Sequence, residues 1–201
     1  FKKAEEAVMK LLDYHDADIV TGILSGLVTE YVAPKFANKN KTLLVSELGE
    51  YFPNPARLNE YVFVNSHHIW QHAWALGNWA VKNIGKKGMF VSGVYDAGYS
   101  FSHMLYEGMM SADPEAFWSF SVPPNPPPGK LSDMSVIFHY LEQYQPDFVF
   151  ATFCGGETTL FLNEFISKGW HKKTQLLGLP FLLAPFHPLA GDITIYTTLP
   201  D

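Results

Sequence analysis

Short apolar runs alternate with amphipathic helical segments along the whole chain, and this alternation limits the fold more than any other feature. Residues 18–24, 42–45, 61–64, 88–94, 117–122, 147–152, 174–179 and 193–197 read as strands. Between them, apolar residues recur at helical spacing. The clearest case is 67–84, where Trp70, Ala73, Trp74, Gly77, Ala80, Val81 and Ile84 share one face and Gly85 marks the stop. Further helices are expected over 4–12, Leu27 to Phe36 (with Pro34 near its end), 101–109, 134–144 (capped by Ser132 or Asp133) and 161–166. The step of about 20–30 residues is the rhythm of βαβ units in parallel sheets. The strand runs are continuous rather than alternating, as expected of strands covered on both faces.

Composition narrows the function classes. With 201 residues and 47% hydrophobic content, the chain can bury a substantial core as one large domain or two small ones. Its formal charge is −6, Arg57 is the only arginine, and the lysines are scattered. A nucleic-acid partner or an anionic membrane surface needs a clustered basic face, so neither is expected. No apolar run is long enough for a transmembrane helix. No leader is visible, but the chain begins at Phe1, so this says nothing of its destination. The single Cys154 excludes an intramolecular disulfide and a multi-cysteine metal site.

The familiar catalytic signatures are missing: no G-x-S-x-G elbow, no Walker A loop and no G-x-G-x-x-G. His68 and His72 stand four apart, a spacing that on one helix could chelate a metal, or else mark the polar start of a Trp-rich helix. The turn Cys154-Gly155-Gly156-Glu157 reads as a tight β–α turn or as a ligand-lining one, since small residues let a ligand approach the helix N-terminus. Three more loops follow predicted strands: Thr21 to Gly26, Ser46 to Tyr51, and Asp96 to Ser100. In open α/β sheets, ligands bind outside the carboxyl ends of strands, so the four loops are candidates for one site. Pro123 to Gly129 reads as a rigid surface loop, with a polyproline ligand as the alternative.

The order of these segments resembles the type I periplasmic solute-binding proteins, the branched-chain amino-acid-binding family of ABC importers. Leu11 to Pro34 is similar to that family's helix, D-x-I-x-G-x-x-S turn and helix ending in Ala-Pro. Thr42 to Glu50 is similar to its "PLISP-A-x-T" strand and loop, and Tyr61 to Asn65 to the "YVFRT" strand before a crossing helix. Lys87 to Leu105 resembles "KVAVLYDDxxYG", with Tyr99 on the tyrosine. Asp133 falls on the Asp of "DFSALL", Pro146 to Val149 on "PDxV", and Gly191 to Tyr196 on the "AEGVY" return strand.

The resemblance implies an α/β fold of two doubly wound parallel-sheet lobes joined by hinge crossings, incomplete at both ends. Residues 1–66 would form part of the N-terminal lobe. Residues 67–190 would form the C-terminal lobe, entered by a long crossing helix, and 191–201 a hinge return strand. It implies a non-enzymatic component of an ABC importer, periplasmic or extracellular and open to lipid anchoring. Such a protein captures a small ligand by hinge closure and hands it to a membrane permease, with no cofactor and no metal.

The ligand residues carried over are Ser25, Gly26, Gly49, Glu50, Tyr99, Phe153 and Cys154. Where the family places an acidic residue for the ligand's ammonium group, this chain has Leu179-Pro180-Phe181, and Glu50 could substitute. These departures make room for an aromatic or otherwise larger ligand beside an amino-acid-like one. The alternatives are a sensor ectodomain of the same fold, and an α/β enzyme using Cys154 or the histidines.

Overall fold

The structure, a computed structural model, describes residues 1–46, 49, 59–93, 96–127, 129–179 and 193–198; for 96–100 it describes the backbone alone. The chain divides into two compact units, Phe1–Trp70 and Gln71–Asp201.

In the first unit, α1 (Lys2–Met9) runs into a π-helical turn, Lys10–Tyr14, and is followed by β1 (Ile19–Gly22), α2 (Gly26–Lys39), β2 (Thr42–Val45) and β3 (Val62–Val64). The strands form a parallel sheet in the order β1-β2-β3. Pro34 does not end α2: the helix continues to Lys39 and stops where Asn40 takes the left-handed conformation. Val8 and Leu12 of the first helical segment and Val32 and Phe36 of α2 pack on Val20, Leu43 and Val45. The alternate residues of the strands face the other way. Ile19 is 65% exposed and Phe63 56%, and Leu44 is exposed as well. Within these residues only one face of this sheet is covered. An unbroken apolar run sets strand propensity, but only packed helices bury a face, and both helices lie on one side.

The second unit holds α3 (Ile69–Asn83, beginning just ahead of the division), β4 (Lys87–Ser92), α4 (Asp96–Ala112), β5 (Phe117–Ser121), α5 (Ser135–Tyr144), β6 (Phe148–Thr152), α6 (Gly156–Ser167), β7 (Gln175–Gly178) and β8 (Ile195–Tyr196). A short 3-10 turn, Trp170–Lys172, joins α6 to β7. The sheet is parallel, in the order β5-β4-β6-β7-β8. Here both faces are covered. Met89, Val91, Val149 and Ala151 lie under Ile137, Leu141, Phe161 and Phe165 from α5 and α6. On the opposite face, Phe120, Phe90 and Phe150 stack across three neighbouring strands, with centroids 5.3 and 5.4 Å apart. Gly88 shares that face and meets Met109 of α4.

Helices α3 and α4 cross with no room for a side chain between them. A Cβ at Gly77 would strike the carbonyl of Leu105, and one at Gly108 that of Trp74. Asp133 is not the residue at the α5 boundary: Met134 is. Its carboxylate still serves the helix, accepting from the amide of Ser135 at 2.9 Å. Among the described residues no helix is long and apolar enough to cross a membrane.

Candidate functional site

A parallel strand delivers its following loop to the carboxyl edge of the sheet, where the next helix opens with unpaired amides. In the first unit that edge carries Ser25 and Gly26. Gly22 and Ile23 both have positive φ, 129° and 61°. For a β-branched residue such as Ile23 this is a strained conformation. It turns the chain from β1 into α2 and leaves Leu24 exposed. Ser25 then caps α2: its Oγ accepts from the amide of Val28 at 3.3 Å, and its carbonyl from the amide of Thr29 at 3.0 Å. Gly26 opens the helix, so its own amide has no intrahelical acceptor.

Gly49 follows the neighbouring strand β2. Its φ is 76°, a Cβ there would strike the backbone of His68, and its carbonyl accepts from the amide of Trp70 at 2.8 Å. Glycine is thus required by both conformation and space. Ser25, Gly26 and Gly49 stand on adjacent strand ends, since Gly22 pairs with Val45. Glu50 lies outside the described residues.

In the second unit the chain leaves β4 toward β5 on one side and, from β6, continues to β7 on the other. This is the strand-order reversal at which open sheets form a crevice. The backbone of Tyr99 lies in the first turns of α4, directly after β4; its side chain lies outside the described residues. Phe153 and Cys154 follow β6. Their side chains part company: Phe153 is fully buried and stacks on Phe161 at 4.8 Å, whereas Cys154 is exposed. The Phe153 ring therefore belongs to the core. Gly155 (φ 58°) then turns the chain into α6.

One feature of this edge escaped the sequence. Ser132, at the end of the Pro-rich segment, donates its hydroxyl to Glu157 Oε1, and Leu131 rests on Gly156. The first turn of α6 is thereby clamped to a loop 25 residues away in sequence, a pairing to which periodicity is blind. Beside it, the amide and hydroxyl of Ser135 hold the Asp133 carboxyl below the usual carboxylate range.

The histidine pair is not a helical chelate. His68 has φ 48° and precedes α3, which starts at Ile69, so the i, i+4 geometry is lost. Its Nδ1 lies 3.3 Å from Ser66 Oγ, and His72 Nδ1 lies 2.6 Å from Thr198 Oγ1. Among the described residues no group of three metal-ligating side chains occurs.

Comparison with known proteins follows this geometry. A solute-binding protein of an ABC transporter from Rhodopseudomonas palustris, in complex with benzoate, matches with a TM-score of 0.70 at 21% identity, over 90% of this chain and 48% of that one. An ABC transporter substrate-binding protein from Sphaerobacter thermophilus gives 0.72 at 17% identity, over 90% and 49%. The leucine binding protein LivK from Thermotoga maritima gives 0.68 at 15%, over 90% and 49%. This chain thus spans about half the length of the solved structures it matches. No curated protein sequence matches it. At these identities the likeness carries the α/β fold with its parallel sheets. The chain belongs to the periplasmic binding protein family, whose model matches residues 2–200.

Proposed function

We propose that this chain is the ligand-capturing part of an extracytoplasmic solute-binding protein serving an ABC importer. The observation that carries this reading is the pairing of family membership with two strand-end turns that each open a helix: Ser25-Gly26 on α2 and Cys154 to Gly156 on α6. Helix N-termini favour negative charge, so a carboxylate is the ligand group they suit. Related solved structures hold benzoate and 4-hydroxybenzoate, and another is named a leucine binding protein. The ligand class is accordingly a small carboxylate with an aromatic or aliphatic body.

In this reading Ser25, Gly26 and Gly49 contribute from residues 1–66, with Glu50 beside them. Tyr99 and Cys154 contribute from residues 67–190, where Phe153 supplies backbone only. Residues 191–201 return the chain through the hinge. Ligand bridging the lobes favours the closed state, which is what the partner permease recognises in the periplasm or at the cell surface. The protein binds and releases its ligand unchanged.

A thermal-shift titration of the complete protein with benzoate, 4-hydroxybenzoate and leucine tests this. A true ligand raises Tm progressively with its concentration, equivalent to about 2.7 kcal/mol at a hundredfold excess over Kd. Indifference to all three, or chemical conversion of any of them, contradicts it.

A further inference from the structure

The Pro-rich segment between β5 and α5 contributes no residue to the site proposed above, yet it ends beside it. Ser121 closes β5, Glu157 lies in the first turn of α6 after β6, and β4 stands between those two strands. The chain from Ser121 to Ser132 therefore passes β4 on the carboxyl side of the sheet, where the strand order reverses. The segment is stiff. Pro123, Pro124, Pro126 and Pro127 each hold φ fixed, and the Lys130 amide donates to the Pro127 carbonyl at 3.0 Å. It is also anchored. Pro123 is buried at one end. At the other, the buried Ser132 gives its hydroxyl to Glu157 Oε1, and its amide lies 3.4 Å from the same oxygen.

Between these anchors Leu131 is 53% exposed. A single exposed leucine is ordinary in itself. This one follows a proline-stiffened turn and directly precedes the clamp, so its backbone is already ordered and fixing its side chain against a ligand costs little more. A Cβ on Gly156 would lie 3.2 Å from Leu131 Cδ2, so the leucine side chain rests on the glycine turn that opens α6. Gly155 and Gly156 are exposed and carry no side chains, and Leu131 supplies apolar surface beside them.

We propose that Leu131 is a specificity-determining residue of the site and takes the apolar body of the bound carboxylate. This rests on reading the Cys154 turn as ligand-lining, and it adds the side chain that selects a hydrophobic body there. Contact with the ligand removes the exposed part of Leu131 from water, a gain that only an apolar body returns.

The test uses the complete protein with isotope-labelled leucine methyls, titrated with benzoate, 4-hydroxybenzoate and leucine; Leu131→Ala identifies the Leu131 signals. Whichever of the three raises Tm should shift the Leu131 methyl resonances to saturation over the same concentration range. It should also give a nuclear Overhauser contact between its C–H protons and those methyls. Leu131→Ala should raise Kd for that ligand about fivefold or more, and Leu131→Met should stay within about twofold of the parent. Because the side chain is half exposed, both variants should keep the Tm of the free protein within about 2 °C. The proposal is overturned if a ligand raises Tm while the Leu131 methyls stay in place and Leu131→Ala binds as tightly; the solute-binding reading survives that result. It is overturned too if Leu131→Ala lowers the Tm of the free protein and leaves Kd unchanged, which assigns the leucine to packing alone. If none of the three raises Tm, the solute-binding reading and the proposal fall together.

Discussion

The two sheets are made of similar apolar runs, yet one is covered on a single face and the other on both. In β6 every residue from Phe148 to Thr152 is buried. In β1 burial alternates, and Ile19 is left in solvent. The difference lies in where the helices go. The second unit sends α5 and α6 to one face, while α4 covers the other against Gly88 and the Phe90 ladder. The first sends α1 and α2 to the same face. Strand propensity is thus a local property, while burial is decided by the handing of helices to one side or the other.

The contrast can be broken most sharply by truncating one aromatic in each sheet. Phe150→Ala removes the fully buried end of the stack and should cost about 3–5 kcal/mol. Phe63→Ala, on the open face, should cost less than about 1 kcal/mol. Chemical denaturation of the two variants compares them, and equal losses would mean that the open face is in fact covered.

Next in size is the α3–α4 crossing. Gly108→Ala forces a methyl against the Trp74 carbonyl and should destabilise by about 1–3 kcal/mol. The matching change at Gly77 should do the same, and the double variant should cost less than the sum, because one separation of the helices relieves both clashes.

A smaller effect distinguishes α2 from α6, the two helices whose first turns make up the proposed site. Ser25→Ala removes the only side-chain cap seen on α2 and should cost about 1 kcal/mol. Hydrogen exchange at Val28 should accelerate accordingly. Helix α6 has Gly155 at its N-cap, with no side-chain cap to lose.

The smallest effect should be shared by both units. Lys35, with Tyr31, holds the Glu5 carboxyl below its ordinary range, and Lys86, with the Glu115 amide, does so for Asp113. A depressed carboxyl contributes stability that is present above its unfolded pKa and is lost as pH falls through the folded one. Both contributions should therefore fade only in acid. Glu5→Gln and Asp113→Asn should each flatten the acid limb of a stability–pH curve slightly, and strong salt should have the same effect.

Most of the architecture was legible in the sequence because it rests on local periodicity. All eight strands and the helices between them overlap the expected segments, although α4 and α6 each begin five residues ahead of them. What periodicity does not carry was misjudged. Pro34 sits inside a helix that packing sustains to Lys39. His68 lies outside α3 because its left-handed backbone precedes the first helical residue. The bare face of the first sheet depends on which side α1 and α2 take, and no strand records that. At the candidate site, Ser25 was read only as a turn residue, and its capping of α2 came from the structure. Phe153 and Cys154 could not be told apart, since adjacent residues at a strand end point in opposite directions. The clamp between Ser132 and Glu157 joins two segments with no pattern in common.

The central claim, that the Cys154 turn faces the captured ligand, has a direct measurement. Cys154 is the only cysteine and is an exposed residue. Alkylation by iodoacetamide can therefore be followed in the complete protein without mutation. With a carboxylate ligand at a concentration that saturates the thermal shift, modification should slow at least tenfold. An unchanged rate under that same saturation would place the ligand elsewhere and contradict the account.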